Sequence, residues 1–307
     1  MENKKGIAAY LIIAFGLAWI IWGITVLAGL RPDDPKFIFV LAPGGFAPAI
    51  AAFVVRKWVT REGFADAGLR PNLGRWPYYL FAWLWPLAVV VVIVLLAAVL
   101  GLSDPDFTFN RALAKIIPQG TAVPEIRPAI VLIPMLLSAL FYTPILFGEE
   151  FGWRGYLQIR LFADRPTLAA VATGLIWAVW HYPLLLMGYQ FPDNRYAGLV
   201  VFPVSLVLYS IMLGWLRLRT DSVWAPSLAH SAFNVVGASL TMLLFLGGSN
   251  YLFVFFSGIL GWIPMAILCV WILMRHRLQP WHRALSSSSG PLAPSRYEQQ
   301  GVAQSAN

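Results

Sequence analysis

Two adjacent carboxylates, an arginine, two histidines and an asparagine carry most of the chemistry open to this chain. In "ILFGEEFGWRGYL", residues 145–157, Glu149 and Glu150 end an apolar run and Arg154 follows. On a continuous helix Glu150 and Arg154 stand at i and i+4, on one face and in the favourable acid-first order. Arg154 can therefore neutralise and orient Glu150. Glu149 lies about 100° round the same helix and gets no partner from that pair. Two carboxylates in different surroundings suit acid–base work, although an ion pair at an ordinary helix end would use the same residues. In "TGLIWAVWHYPLLL", His181 is the one ionisable group of its run, with Trp177 one turn earlier on the same face. Neutral imidazole is a usual general base and metal ligand; a core histidine with satisfied hydrogen bonds is the plainer alternative. In "APSLAHSAFNVVG", His230 and Asn234 again stand at i and i+4, with Ser227 and Ser231 nearby. Hydrogen bonding between membrane helices would also account for them. As a set, a carboxylate, two imidazoles and a neutral amide suffice to activate water and to stabilise an oxyanion.

The elements that must position these groups are membrane helices. Of the 307 residues 59% are hydrophobic and 12% charged, about half the charge of a soluble domain. Eight apolar runs are long enough to span: about 7–29, 37–55, 77–101, 128–148, 167–187, 198–216, 225–246 and 251–274. The expected fold is thus an all-α polytopic membrane protein of about eight transmembrane helices around an intramembrane polar cavity. The first run exceeds a signal h-region and is read as a retained span. In the second, "APGGFAP" puts Pro43, Gly44, Gly45 and Pro48 inside the helix, a kink that neighbouring helices can satisfy. Residues 1–283 form one transmembrane domain with a motif core at about 128–246. The Ser- and Gln-rich 284–307 is expected to be a disordered cytoplasmic tail.

Sixteen of the 22 Lys and Arg fall on one side if the N-terminus is cytoplasmic, chiefly in 56–75, 154–165, 217–219 and 275–296. The positive-inside rule then places both termini in the cytoplasm of a multi-pass plasma-membrane protein. The net charge of +8 serves topology and forms no soluble basic patch, so no nucleic-acid partner is expected. The single Cys269 excludes an intrachain disulfide and a cysteine metal site.

The motifs resemble those of the CPBP family, the CAAX-type prenyl endopeptidases and bacteriocin-processing (Abi) intramembrane proteases. "EEFGWR" matches the family's EExxxR and "HSAFN" its HxxxN. "WAVWH" matches FxxxH in part, with Trp177 in place of Phe, a change expected to alter packing more than chemistry. The resemblance implies an intramembrane endopeptidase acting on a membrane-associated peptide or protein. In that scheme Glu149 with His181 activates water. Glu150, held by Arg154, supports the site, and His230 with Asn234 polarises the scissile carbonyl. Members are commonly classed as metalloproteases. Glu149, His181 and His230 are permitted Zn²⁺ ligands, but the helical HExxH spacing is absent. A metal-independent, glutamate-activated water is therefore the leading expectation and zinc its competitor. A non-catalytic scaffold or self-immunity protein on the same fold, and a transporter, are the other readings.

One tension is geometric. Counting 1.5 Å per residue from the run ends puts Glu149 and His181 at depths about 20 Å apart. A closed site requires a longer fourth span or a deeper start to the fifth, around a water-filled cavity expected to open to the cytoplasm.

Overall fold

The computed structural model describes residues 2–278, apart from 33, 116, 118–126, 248 and 276. The expected tail at 284–307 lies outside the described residues. The described residues are mostly helical, with no strand among them. Helix α1 (Glu2–Leu27) is the first span. The second is split into α2 (Ile38–Gly45) and α3 (Ala47–Val54), as its prolines predict, and α3 runs into a widened turn at Val55–Val59. Then come α4 (Trp76–Val99), the short α5 (Asn110–Leu113), α6 (Pro128–Gly152), α7 (Pro166–Trp180), α8 (Tyr182–Leu186) and α9 (Arg195–Thr220). The chain finishes with α10 (Trp224–Ala232), α11 (Ser239–Phe245), α12 (Tyr251–Val254) and α13 (Ile259–Met274). Proline opens α6 and α7 and stands second in α4, where its missing N–H costs no helical bond.

Seven described stretches are long and apolar enough to cross a membrane, and the expected fifth span is shorter. Its helix α7 stops at Trp180, and His181 sits at the break before α8. Large apolar side chains such as Leu27, Phe39, Val99 and Phe141 face outward and stay exposed, as lipid-facing residues must.

The two ends of the bundle differ. At one end the loop 60–75 folds back and is tied down. Buried Arg56 donates to the Gly155 carbonyl at 2.8 Å and to Asp66 at 2.7 Å. Arg160 pairs with Glu62 and Asp66, and Arg217 with Asp221 and the Asp66 carbonyl. Val223 N donates to Gly68 O, and the Trp224 indole to Leu69 O. This basic end gathers the arginine-rich segments. At the far end Asn194 meets Asn250, Ser257 donates to Gln190, and Asp106 N bonds Leu244 O.

Small residues set the spacing inside. A Cβ at Gly152 would lie 2.6 Å from the Pro48 carbonyl oxygen, so α6 and α3 touch backbone to backbone there. This is the packing that small residues permit in membranes.

Candidate active site

Glu149 and Glu150 stand near the end of α6, yet the helix does not stop there. It passes through a widened turn at Trp153–Leu157, closed by Gln158 N on Trp153 O at 2.8 Å, so the span runs from Pro128 to Leu157. That extension places Glu149 eight residues inside the span rather than at its end. It removes about 12 Å of the depth mismatch.

The expected pair forms: Arg154 donates to Glu150 Oε1 at 2.9 Å, with both side chains buried. The same oxygen accepts from His230 Nδ1 at 2.9 Å. A carboxylate only accepts, so Nδ1 carries the proton and Nε2 is the nitrogen left for chemistry. Glu150 thereby fixes the orientation of the His230 ring.

Glu149 finds its partner on another helix. Trp177 on α7 donates its indole N–H to Glu149 Oε2 at 2.7 Å, and both residues are buried. No hydrogen bond reaches Glu149 Oε1 among the described residues. A Cβ at Gly45 would lie 3.8 Å from that oxygen, so the glycine keeps the space beside it clear. The expectation that Trp177 changes packing more than chemistry is therefore corrected, because a phenylalanine has no donor for this carboxylate. Trp177 also packs against both histidines, 5.7 Å from His181 and 5.1 Å from His230 between ring centroids. Its face lies 4.4 Å from the Arg154 guanidinium carbon.

His181 turns Nδ1 onto the Trp177 carbonyl at 2.9 Å. The carbonyl can only accept, so the Nε2 lone pair is free. Trp180 and Phe202 pack edge-on against this ring. Asn234 lies in a third widened turn, Phe233–Ala238, directly after α10; such turns recur at functional sites. The nearby serines are structural: Ser227 bonds its own helix and Ser231 ties α10 to the Ala139 carbonyl of α6.

Glu149, Trp177, His181, His230 and Asn234 line one cavity of about 620 Å³. Glu150 and Arg154 stand behind it. The sequence reading missed Gly45, Tyr209 and Gln190 as further lining residues. Of these, only Gly45 carried a signal, the small-residue run in a span. The cavity does not extend toward the basic end, the end that the charge bias leads one to expect in the cytoplasm. Its lining on α2, α6 and α9 lies between Glu149 and the far end.

Among the described residues no group of three or more His, Cys, Asp or Glu is arranged to hold a metal ion. One polar atom on each of Glu149, His181 and His230 is hydrogen-bonded, to the Trp177 indole, the Trp177 carbonyl and Glu150 respectively, which leaves Glu149 Oε1 and the two Nε2 atoms uncommitted.

Residues 129–236 match the family model described as Type II CAAX prenyl endopeptidase Rce1-like. The match spans all six motif residues and agrees with a CPBP family protease. No curated protein matches the chain.

Proposed function

We propose that this protein is an intramembrane endopeptidase of the CPBP type, which hydrolyses a peptide bond with a water activated by Glu149 and His181. The supporting observation is the shared cavity, where Glu149 keeps one carboxylate oxygen without a hydrogen-bond donor and His181 keeps a free Nε2. Glu149 takes a proton from water as its oxygen attacks the scissile carbonyl carbon. The Asn234 amide donates to the oxyanion that forms, and the His230 ring, oriented by Glu150, borders it through Nε2. The tetrahedral intermediate then collapses, the C–N bond breaks, and the proton held by Glu149 passes to the leaving nitrogen. Glu150 and Arg154 orient His230 from behind and touch no reacting atom.

In this reading the protein is a multi-pass plasma-membrane enzyme with both termini cytoplasmic, as the charge bias favours. Its partner is a membrane-associated peptide or protein. The test is peptidomics of membranes holding wild-type protein against Glu149→Gln. Peptides that accumulate only with wild type support the reading. Undiminished cleavage by the variant removes Glu149 from the chemistry. Equal, substrate-independent profiles favour the scaffold or immunity alternative.

A further inference from the structure

The cavity has a direction. On α6 the lining runs from Ser138 through Tyr142 and Ile145 to Glu149, all on the far-end side of the acid. On α2 it covers Ile38 to Gly45, the far-end half of the second span. Gln190 and Ser257, from the far-end loops, complete it. Ile38, Tyr142 and Ile145 line it and are also exposed. Toward the basic end the way is shut. Phe151 through Leu157 are buried, Gly152 rests on Pro48, and Arg56 bonds the Gly155 carbonyl. Phe147 stacks on Trp224 at 4.7 Å beneath the tied loop.

The lining also has a charge signature. It contains no Lys, Arg or Asp, and Glu149 is its one charged side chain. A free C-terminal carboxylate would find no cation there and would meet a like charge. Serine, asparagine, glutamine and tyrosine supply polar contacts between apolar walls, which suits peptide backbone.

We infer that the catalytic cavity opens on the extracytoplasmic side of the membrane and receives an uncharged internal stretch of an exported or outer-leaflet-anchored peptide. The basic end holds most of the Lys and Arg and is the cytoplasmic end by charge bias, so the open end faces away from the cytoplasm. The identity of the occupant as a peptide rests on the function proposed above; the direction of the opening does not.

The chain's single cysteine, Cys269, is buried, which allows a clean labelling experiment in a Cys269→Ser background. Asp193→Cys reports the exposed far-end loop, Gln190→Cys the cavity mouth and Arg70→Cys the basic-end loop. A membrane-impermeant maleimide is applied to right-side-out and inverted vesicles. Asp193→Cys and Gln190→Cys should react in right-side-out vesicles and Arg70→Cys in inverted ones. The opposite pattern overturns the inference. So does a Gln190→Cys that reacts only after SDS denaturation while Asp193→Cys reacts from outside. For the occupant, a capped, amidated octapeptide of Ala, Leu, Val and Ser is added to Gln190→Cys with Glu149 in place. It should slow labelling by about fivefold, and a lysine- or aspartate-containing peptide should not. No protection, or equal protection by the charged peptide, overturns the occupant. Neither readout needs turnover, so a failed cleavage assay counts against the peptidase reading alone.

Discussion

The contact between Trp177 and Glu149 can be weighed by a double-mutant cycle that needs no substrate. The indole N–H meets Glu149 Oε2 at 2.7 Å with Trp177 fully buried and Glu149 nearly so. A hydrogen bond to a charged acceptor contributes about 1.5–3 kcal/mol net. Trp177→Phe keeps an aromatic ring near Arg154 and both histidines but removes the donor. Glu149→Ala removes the acceptor at a position that already borders the cavity, so little new void is enclosed. The two single variants and the double variant are unfolded reversibly in mixed micelles by SDS titration, followed by far-UV circular dichroism. The expected coupling energy is about 1.5–3 kcal/mol. A value below about 0.5 kcal/mol, the level at which independent sites add, would refute the reasoning. Trp177 would then be a packing ring, and any Phe at this position would serve equally.

Gly152→Ala should destabilise the fold by about 1–3 kcal/mol, the usual cost of overpacking, because its methyl would meet the Pro48 backbone; an unchanged melting temperature in detergent would contradict that contact. Asp66 is pushed up by partial burial, but the Arg56 hydrogen bond and the charges of Arg160 and Arg56 outweigh this and hold its carboxyl below the usual 3.8. A carboxyl lowered on folding stabilises the fold above its unfolded value, and that stability is lost as pH falls through the lower folded value. Asp66→Asn should therefore be less stable than wild type at neutral pH and converge with it only once the pH falls below the lowered folded value. Asp66 is half exposed, so the difference should be small and shrink in salt; thermal melts across pH are the check. Glu149-dependent cleavage should stay within about twofold after dialysis against 1,10-phenanthroline, whereas loss of activity restored by zinc would reinstate the metal reading.

Much of the architecture was legible because a membrane span is a property of length and hydropathy. The runs near 7–29, 198–216 and 251–274 correspond to helices α1, α9 and α12–α13 with shifts of a few residues. The Glu150–Arg154 pair was legible too, since an i,i+4 contact is local. What hydropathy could not give was the continuation of the fourth span past two carboxylates to Leu157, because hydrogen bonds that hold them come from His230 and Trp177 on other helices. Trp177 itself was placed correctly on the face of His181, but its role depended on where Glu149 arrives from α6. The direction of the cavity is likewise a matter of which helix ends close together, and that is written in the contacts of Pro48 and Arg56.

The widened turn at Trp153–Leu157 holds one residue more than a regular turn. Everything after it is rotated by about 100° relative to a straight helix. Upstream, the backbone is in phase with the cavity and delivers Glu149 to Trp177. Downstream it is in phase with the arginine-rich loop. Gln158 tucks against Gly214, where a Cβ would lie 3.0 Å from its Cδ, and Arg160 reaches Glu62 at 2.8 Å. One surplus residue lets a single helix keep two appointments on different azimuths. Deleting Gly155, Tyr156 or Leu157 would preserve the spelling of "EEFGWR", yet it would force either the acid or the clamp out of register. The spacing that makes the motif recognisable therefore ends where the helix stops counting in regular turns.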